Sequence, residues 1–169
     1  IFLLLCSFGY SQTAPVIISN GGGSTTSISY AENSTSTVTT VTSTDVDASS
    51  TATYSISGTD VDDFIINSSS GILTFSSNPN LEVPTDDDGD NQYVVIVTVT
   101  DNGSLTDIQT ITVTITDVNE APVITSNSGG STASISYAEN STSTVTTVTS
   151  TDVDASSTAT YSISGTDAD

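Results

Sequence analysis

Apolar residues along this chain recur with a period of two. Residues 93–100 show it best: Tyr93, Val95, Val97 and Val99 share one face, because successive side chains of a strand point to opposite sides. Residues 111–116 set Ile111, Val113 and Ile115 against Thr112, Thr114 and Thr116, and residues 51–57 set Ala52, Tyr54 and Ile56 against Thr53, Ser55 and Ser57. Shorter extended segments are expected at 14–19, 27–30, 64–66 and 72–75. Residues 37–44 carry Val38 and Val41, a three-residue spacing that breaks the alternation and predicts a bulge. Glycine-bearing turns separate these segments, at Asn20-Gly21-Gly22-Gly23-Ser24, at Ser70-Gly71 and at Asp101-Asn102-Gly103-Ser104, where Asn-Gly favours a tight hairpin. No stretch has a helical period. About seven short strands in a unit of roughly a hundred residues predict an all-β, immunoglobulin-like Greek-key β-sandwich. Tyr54, Phe64, Phe75 and Tyr93 would be the bulky members of its core, with Thr-rich faces turned to water.

The pattern repeats. Ala14-Pro15-Val16-Ile17 returns as Ala121-Pro122-Val123-Ile124, and the 49 positions from 14 to 62 differ from those of 121 to 169 at four: Ile18/Thr125, Gly21/Ser128, Thr26/Ala133 and Val61/Ala168. Sandwich repeats in tandem are therefore expected, a first over 13–120 and a second, truncated, over 121–169, as part of a longer array. Residues 1–11 are apolar up to Phe8 and too short to span a bilayer. With small residues at Gly9 and Ser11, they read as the remnant of a secretory signal peptide.

Charge sharpens the picture. Of 169 residues, 20 are Asp or Glu and none is Lys, Arg or His, a formal net charge of -20. Nucleic-acid binding through phosphates needs basic residues and is not expected, nor is adhesion to an anionic membrane surface. Catalysis by Ser-His-Asp or Cys-His arrangements is impossible without His, so no enzymatic activity is expected of this segment. Any close cluster of carboxylates must be protonated, separated by water, or bridged by a cation from solution. A hard cation with oxygen ligands is the natural partner.

The acids recur in an ordered set of motifs: Ala31-Glu32-Asn33, repeated at Ala138-Glu139-Asn140; Asp45-Val46-Asp47, repeated at Asp152-Val153-Asp154; Thr100-Asp101-Asn102-Gly103; and Asp117-Val118-Asn119-Glu120-Ala121-Pro122 between the repeats. In extended chain, Asp45 and Asp47 would present two carboxylates side by side. A further run, Asp86-Asp87-Asp88-Gly89-Asp90-Asn91, is a solvated loop, a replacement for a carboxylate missing near Glu82, or a calcium ligand set of its own. It is not an EF-hand, whose sixth position is Gly and twelfth Glu, where Asn91 and Val97 stand.

Taken together, the motif order, the Tyr54-Ser55-Ile56 strand and the repeat length make 13–169 similar to bacterial cadherin-like repeats. Asp117-Val118-Asn119-Glu120-Ala121-Pro122 resembles that family's linker, and Asp45-Val46-Asp47 its Asp-x-Asp motif. The resemblance implies Ca2+ ions between consecutive repeats. The preceding repeat would supply Glu32 and Glu82, the linker motif Asp117, Asn119 and Glu120, and the following repeat Asp152 and Asp154. Asp45, Asp47 and Asp101 match ligands toward a preceding repeat, and would be idle if signal cleavage leaves none. Departures stand at Leu81-Glu82-Val83-Pro84, which loses one carboxylate of the family motif, and at Glu120-Ala121 in the linker. The function implied is a secreted or cell-surface adhesion stalk, with adjacent repeats and a cell-surface protein or glycan as partners. The alternative is a spacer or carbohydrate-binding region attached to a secreted enzyme.

Overall fold

The computed structural model describes residues 11–47 and 49–167. The segment read as a signal remnant lies outside the described residues except for Ser11. The chain divides into two compact units, 1–118 and 119–169.

The described residues of the first unit form nine strands. Four form the larger sheet, in the order β2 (Thr25–Ala31), β9 (Thr106–Thr116), β8 (Gln92–Thr100), β5 (Thr53–Ser57). Three form the facing sheet, in the order β3 (Thr39–Thr40), β7 (Ile72–Phe75), β6 (Phe64–Ile66), and β1 (Val16–Ile17) pairs with β4 (Ser43–Thr44). The period-two pattern explains the sandwich. The alternate residues Tyr93, Val95, Val97 and Val99 of β8 and Ile111, Val113 and Ile115 of β9 are buried, while the residues between them, Val94, Ile96 and Thr98 in β8 and Thr112 and Thr114 in β9, lie on the other face and are only partly covered. From the other sheet Leu73 and Phe64 join them, with Val38 and Val41 beside them. Phe75 centres an aromatic cluster: its ring lies 4.6 Å from Phe64, 5.1 Å from Tyr93 at 89°, and 5.1 Å from Tyr30. The four bulky residues expected inside are thus there, Phe75 only partly covered.

Three local expectations change. Residues 37–44 do not form one bulged strand. They split into β3 and β4, which pair with different partners; the Val38 N–H donates to the Leu73 carbonyl and the Val41 N–H to the Gly71 carbonyl, both at 2.9 Å, so both valines reach the core from beside β7, and the chain changes partner only after Val41. Ala52 is exposed and precedes β5, so the alternation there begins at Thr53. The Asn102-Gly103 pair does not make a two-residue turn. Loop 101–105 intervenes between the last pair, Thr100↔Thr106, with Ser104 in the left-handed region at φ 67. Asp101 imposes this: its Oδ1 accepts the N–H groups of Gly103 (2.8 Å) and Leu105 (2.7 Å), a side-chain turn that competes with the backbone one.

Pairing of β2 with β9 is parallel, from Thr25↔Thr110 to Ala31↔Thr116. Both strands therefore end at the same pole of the sandwich. Gly71 closes the turn into β7 at φ 71, and any Cβ there would collide with the Val41 carbonyl that packs over it.

The second unit, 119–169, contains one short ladder, β10 (Val123–Ile124) with β11 (Ser150–Thr151), and a 3-10 turn at Ser126–Gly129. The rest of its described residues form no strand.

Candidate metal centre

The parallel register decides where the first acids go. Glu32 follows β2 and Asp117 follows β9, so Ala31↔Thr116 pairing delivers both to one pole; the loop after β7 brings Glu82 to the same place. Carboxylate oxygens of Glu32, Glu82 and Asp117 lie within 4.8 Å of one another. Two oxygens bound to one calcium at about 2.4 Å can be no farther apart than about 4.8 Å, so the spacing fits a shared ion. The donor set fits as well, since every ligand is oxygen and the chain has no cationic side chain to compete.

Glu32 is only 2% exposed. Its Oε2 accepts the Leu81 N–H at 2.9 Å and its Oε1 the Val118 N–H at 2.9 Å. Burial by itself would raise its pKa, but these two N–H groups, with a hydrogen bond to Glu82, outweigh it and hold the carboxyl below its ordinary value. The charge is thus kept in place and tied to the first residues of the linker.

A second set gathers at the opposite pole. Thr53↔Thr100 pairing places the start of β5 beside the β8–β9 loop, and Asn102 Nδ2 donates to the Ser49 carbonyl at 3.3 Å. Asp101, 6% exposed, and the Asp45–Asp47 segment therefore share that end of the unit. The expected extended geometry of Asp45-Val46-Asp47 is not what forms: the segment bends. Asp45 Oδ1 accepts the Asp47 N–H (2.9 Å) and Oδ2 the Ser50 hydroxyl (2.7 Å), while Asp47 Oδ2 accepts the Thr13 N–H at 2.8 Å. The Asp47 N–H first, then Ser50, hold the Asp45 carboxyl below its ordinary value. The reason for the bend is the short Asp side chain, which finds its own backbone two residues on.

Within the second unit the same local motif recurs. Asp152 Oδ1 accepts the Asp154 N–H at 3.1 Å and Oδ2 the Ser157 hydroxyl at 2.6 Å; the Ser157 hydroxyl leads in lowering the Asp152 pKa. Asp154 Oδ2 accepts the Glu120 N–H at 3.0 Å, and Asn119 Nδ2 donates to the Glu120 carbonyl at 2.8 Å. Glu120, Asn119, Asp152 and Asp154 thus belong to one local arrangement.

Sequence reasoning passed over Asp60 and Asp107. Asp107 Oδ2 accepts the Ile17 N–H at 2.8 Å and fastens β1 to β9. Asp60, 5% exposed, accepts the N–H groups of Asp87 (2.8 Å) and Val94 (2.6 Å), tying the β7–β8 loop down. Neither stands in a motif, so only the tertiary pairing reveals them. No helix among the described residues is long and apolar enough to cross a membrane.

The model of the cadherin domain matches residues 26–116, more than half of the chain. The chain belongs to the cadherin family. Its matched cadherin domain begins in β2 and closes with β9, so it coincides with the two sheets of the first unit. Solved cadherin structures share the fold. The chain is similar to protocadherin gamma B7 extracellular cadherin domains 1-4 (TM-score 0.54, 22% identity, 83% of this chain and 33% of that one). Drosophila N-cadherin EC1-4 (TM-score 0.52, 23%, 69% and 28%) and human protocadherin-24 EC1-2 (TM-score 0.51, 19%, 68% and 49%) are similar too. This cadherin chain thus spans half or less of the length of each of these structures. No curated protein sequence matches it. As a cadherin domain, the first unit is an adhesion-type module with an immunoglobulin-like sandwich.

Proposed function

We propose that this chain is an extracellular, calcium-binding stretch of a tandem cadherin array, in which Ca2+ held jointly by the acids of one module, the linker and the next module stiffens the joint. The observation that carries the reading is the sorting of acids to two poles of one module. Glu32, Glu82 and Asp117 converge where the chain leaves the first unit, and Asp45, Asp47 and Asp101 lie toward the opposite end. The second unit carries the counterparts of the latter set, Asp152 and Asp154, beside Glu120 and Asn119. A module built this way offers ligands in both directions and needs neighbours to complete each set. Without the ion, the acids repel one another across the linker; with it, they are bridged and the array becomes a rod.

The test is calorimetric titration of the whole chain with Ca2+, paired with small-angle scattering in Ca2+ and in EDTA. Binding with a narrower distribution of sizes in calcium is expected, and a raised melting temperature, worth about 2.7 kcal/mol at a hundredfold excess over Kd. Glu32→Gln should weaken binding at least tenfold. Absence of heat, or an unchanged isotherm in Glu32→Gln, refutes the assignment.

A further inference from the structure

Another set of acids, sharing no residue with the Glu32 group, sits on the loop between β7 and β8. Carboxylate oxygens of Asp86, Asp88 and Asp90 lie within 4.8 Å of one another. The loop, residues 76–91, has no regular structure but is well fastened. The Asp90 N–H donates to Asp86 Oδ2 at 2.7 Å, the Asp87 N–H to Asp60 Oδ1 at 2.8 Å, and the Thr85 N–H to the Tyr93 hydroxyl at 3.0 Å. A run of acids on a loop is ordinarily just well solvated. Asp86 breaks that explanation. It is 7% exposed, and its Oδ1 is shut off from water with no hydrogen-bond partner among the described residues.

The other buried acids of this unit show how unusual that is. Both oxygens of Glu32 end on backbone N–H groups, as do both oxygens of Asp60, and Asp101 accepts two N–H groups through Oδ1. Buried carboxylate oxygens are normally satisfied in this way, and one that is not calls for a partner. The chain has no Lys, Arg or His to provide it, so the partner comes from solution, as a cation or as a water.

We propose that Asp86, Asp88 and Asp90 bind one Ca2+ ion of the module's own, with Asp86 Oδ1 as its buried ligand. The acids alternate along five residues, and two of the three side chains, Asp88 and Asp90, are exposed; Asp90 accepts the Gln92 N–H through Oδ1 (2.8 Å) and the Gln92 Nε2–H through Oδ2 (2.9 Å), and each oxygen keeps a second lone pair for an ion. Calcium tolerates such a lopsided, partly hydrated shell, whereas Mg2+ demands a near-ideal octahedron and sheds water reluctantly. The ion would fasten the long loop from which Glu82 also projects. The assignment does not depend on calcium at the joint.

The experiment is a Ca2+ titration of the 15N-labelled whole chain, up to about 10 mM, beyond the range typical of extracellular calcium modules. The amides of 87–92 should shift saturably. Asp88→Asn, at an exposed side chain that leaves the fold intact, should weaken that response at least tenfold, and Asp86→Asn should abolish it. The amides of Glu32 and Val118 report the joint separately and should respond alike in wild type and in Asp88→Asn. If the amides of 87–92 stay still while Glu32 and Val118 move, the loop site is refuted and the joint stands; shifts at 87–92 with Glu32 and Val118 silent mean the converse. An unchanged midpoint for 87–92 in Asp88→Asn also overturns the proposal, leaving a water as the partner of Asp86. Should Asp86→Asn fail to fold, Asp88→Asn alone decides.

Discussion

Residues 14–62 and 121–169 are nearly the same sequence in two different settings. In the first, Ile17 is 1% exposed, Val41 0% and Tyr54 8%; their counterparts Ile124, Val148 and Tyr161 are 51%, 42% and 55% exposed. What survives in both copies is local. Thr39 Oγ1 donates to Asn20 Oδ1 at 2.9 Å and Thr146 Oγ1 to Asn127 Oδ1 at 3.1 Å; Ser43 meets the Tyr54 hydroxyl at 3.0 Å and Ser150 that of Tyr161 at 2.9 Å. The β1–β4 ladder also returns, as β10–β11, and what differs is whatever needs a partner outside the shared 49 residues. Residues 25–31 are a strand because β9 offers them a ladder; residues 132–138 have no such neighbour and form none. Turns and side-chain caps are written in a few adjacent residues, whereas a strand exists only as one half of a pair.

The largest test of this contrast is the tyrosine pair. Tyr54→Ala should cost the first unit about 3–5 kcal/mol, as for a truncated aromatic in a packed core. Tyr161→Ala should change stability by no more than about 0.5 kcal/mol. Chemical denaturation of each variant, read against wild type, checks both; equal losses would erase the distinction.

Next in size is Glu32 against Glu139, which is exposed. Glu32→Gln places an NH2 group against one of two backbone N–H donors and should destabilise the first unit by about 1–3 kcal/mol at neutral pH in EDTA, while Glu139→Gln should be nearly neutral. Because the folded-state pKa of Glu32 is lowered, its stabilising contribution is complete above the unfolded value near 4.3. It fades as pH falls through the lower, folded value. Melting curves from pH 7 down to pH 3 should therefore converge for wild type and Glu32→Gln at the acid end.

The smallest effect belongs to the shared Asp-x-Asp bend. Asp45 and Asp152 should both titrate below the ordinary Asp value of about 3.9, because each receives a backbone N–H and a Ser hydroxyl from its own segment. Carboxyl carbon shifts followed by NMR against pH give both values. A depressed value in only one copy would show that the motif leans on the wider fold.

The sandwich was largely legible in the sequence because strand periodicity is strong wherever one face is buried, as at Tyr93, Val95, Val97 and Val99 of β8 and Ile111, Val113 and Ile115 of β9, although Val94 and Ile96 on the other face of β8 and the exposed Ile108 beside the buried Gln109 in β9 depart from it. The Val38/Val41 spacing was legible as an irregularity, but the change of partner that follows Val41, from β7 to β1, was not, since spacing alone does not say which strand each segment meets. Asp101 was singled out through its motif, yet its capture of the Gly103 and Leu105 N–H groups redirected the turn that Asn102-Gly103 would favour. For the site, the motifs pointed to Glu32, Glu82 and Asp117, and the structure gathers them. The buried state of Glu32, the roles of Asp60 and Asp107, and the orphaned oxygen of Asp86 depend on contacts between residues tens of positions apart, which no short pattern encodes.

The side-by-side, same-direction run of β2 and β9 has a mechanical corollary. A pull between the segment before β2 and the linker after β9 acts along both strands in opposite senses, so the seven register positions from Thr25↔Thr110 to Ala31↔Thr116 are loaded together in shear, not peeled one at a time. Such a module yields only when many hydrogen bonds give way at once, which suits a link in a chain that bears tension.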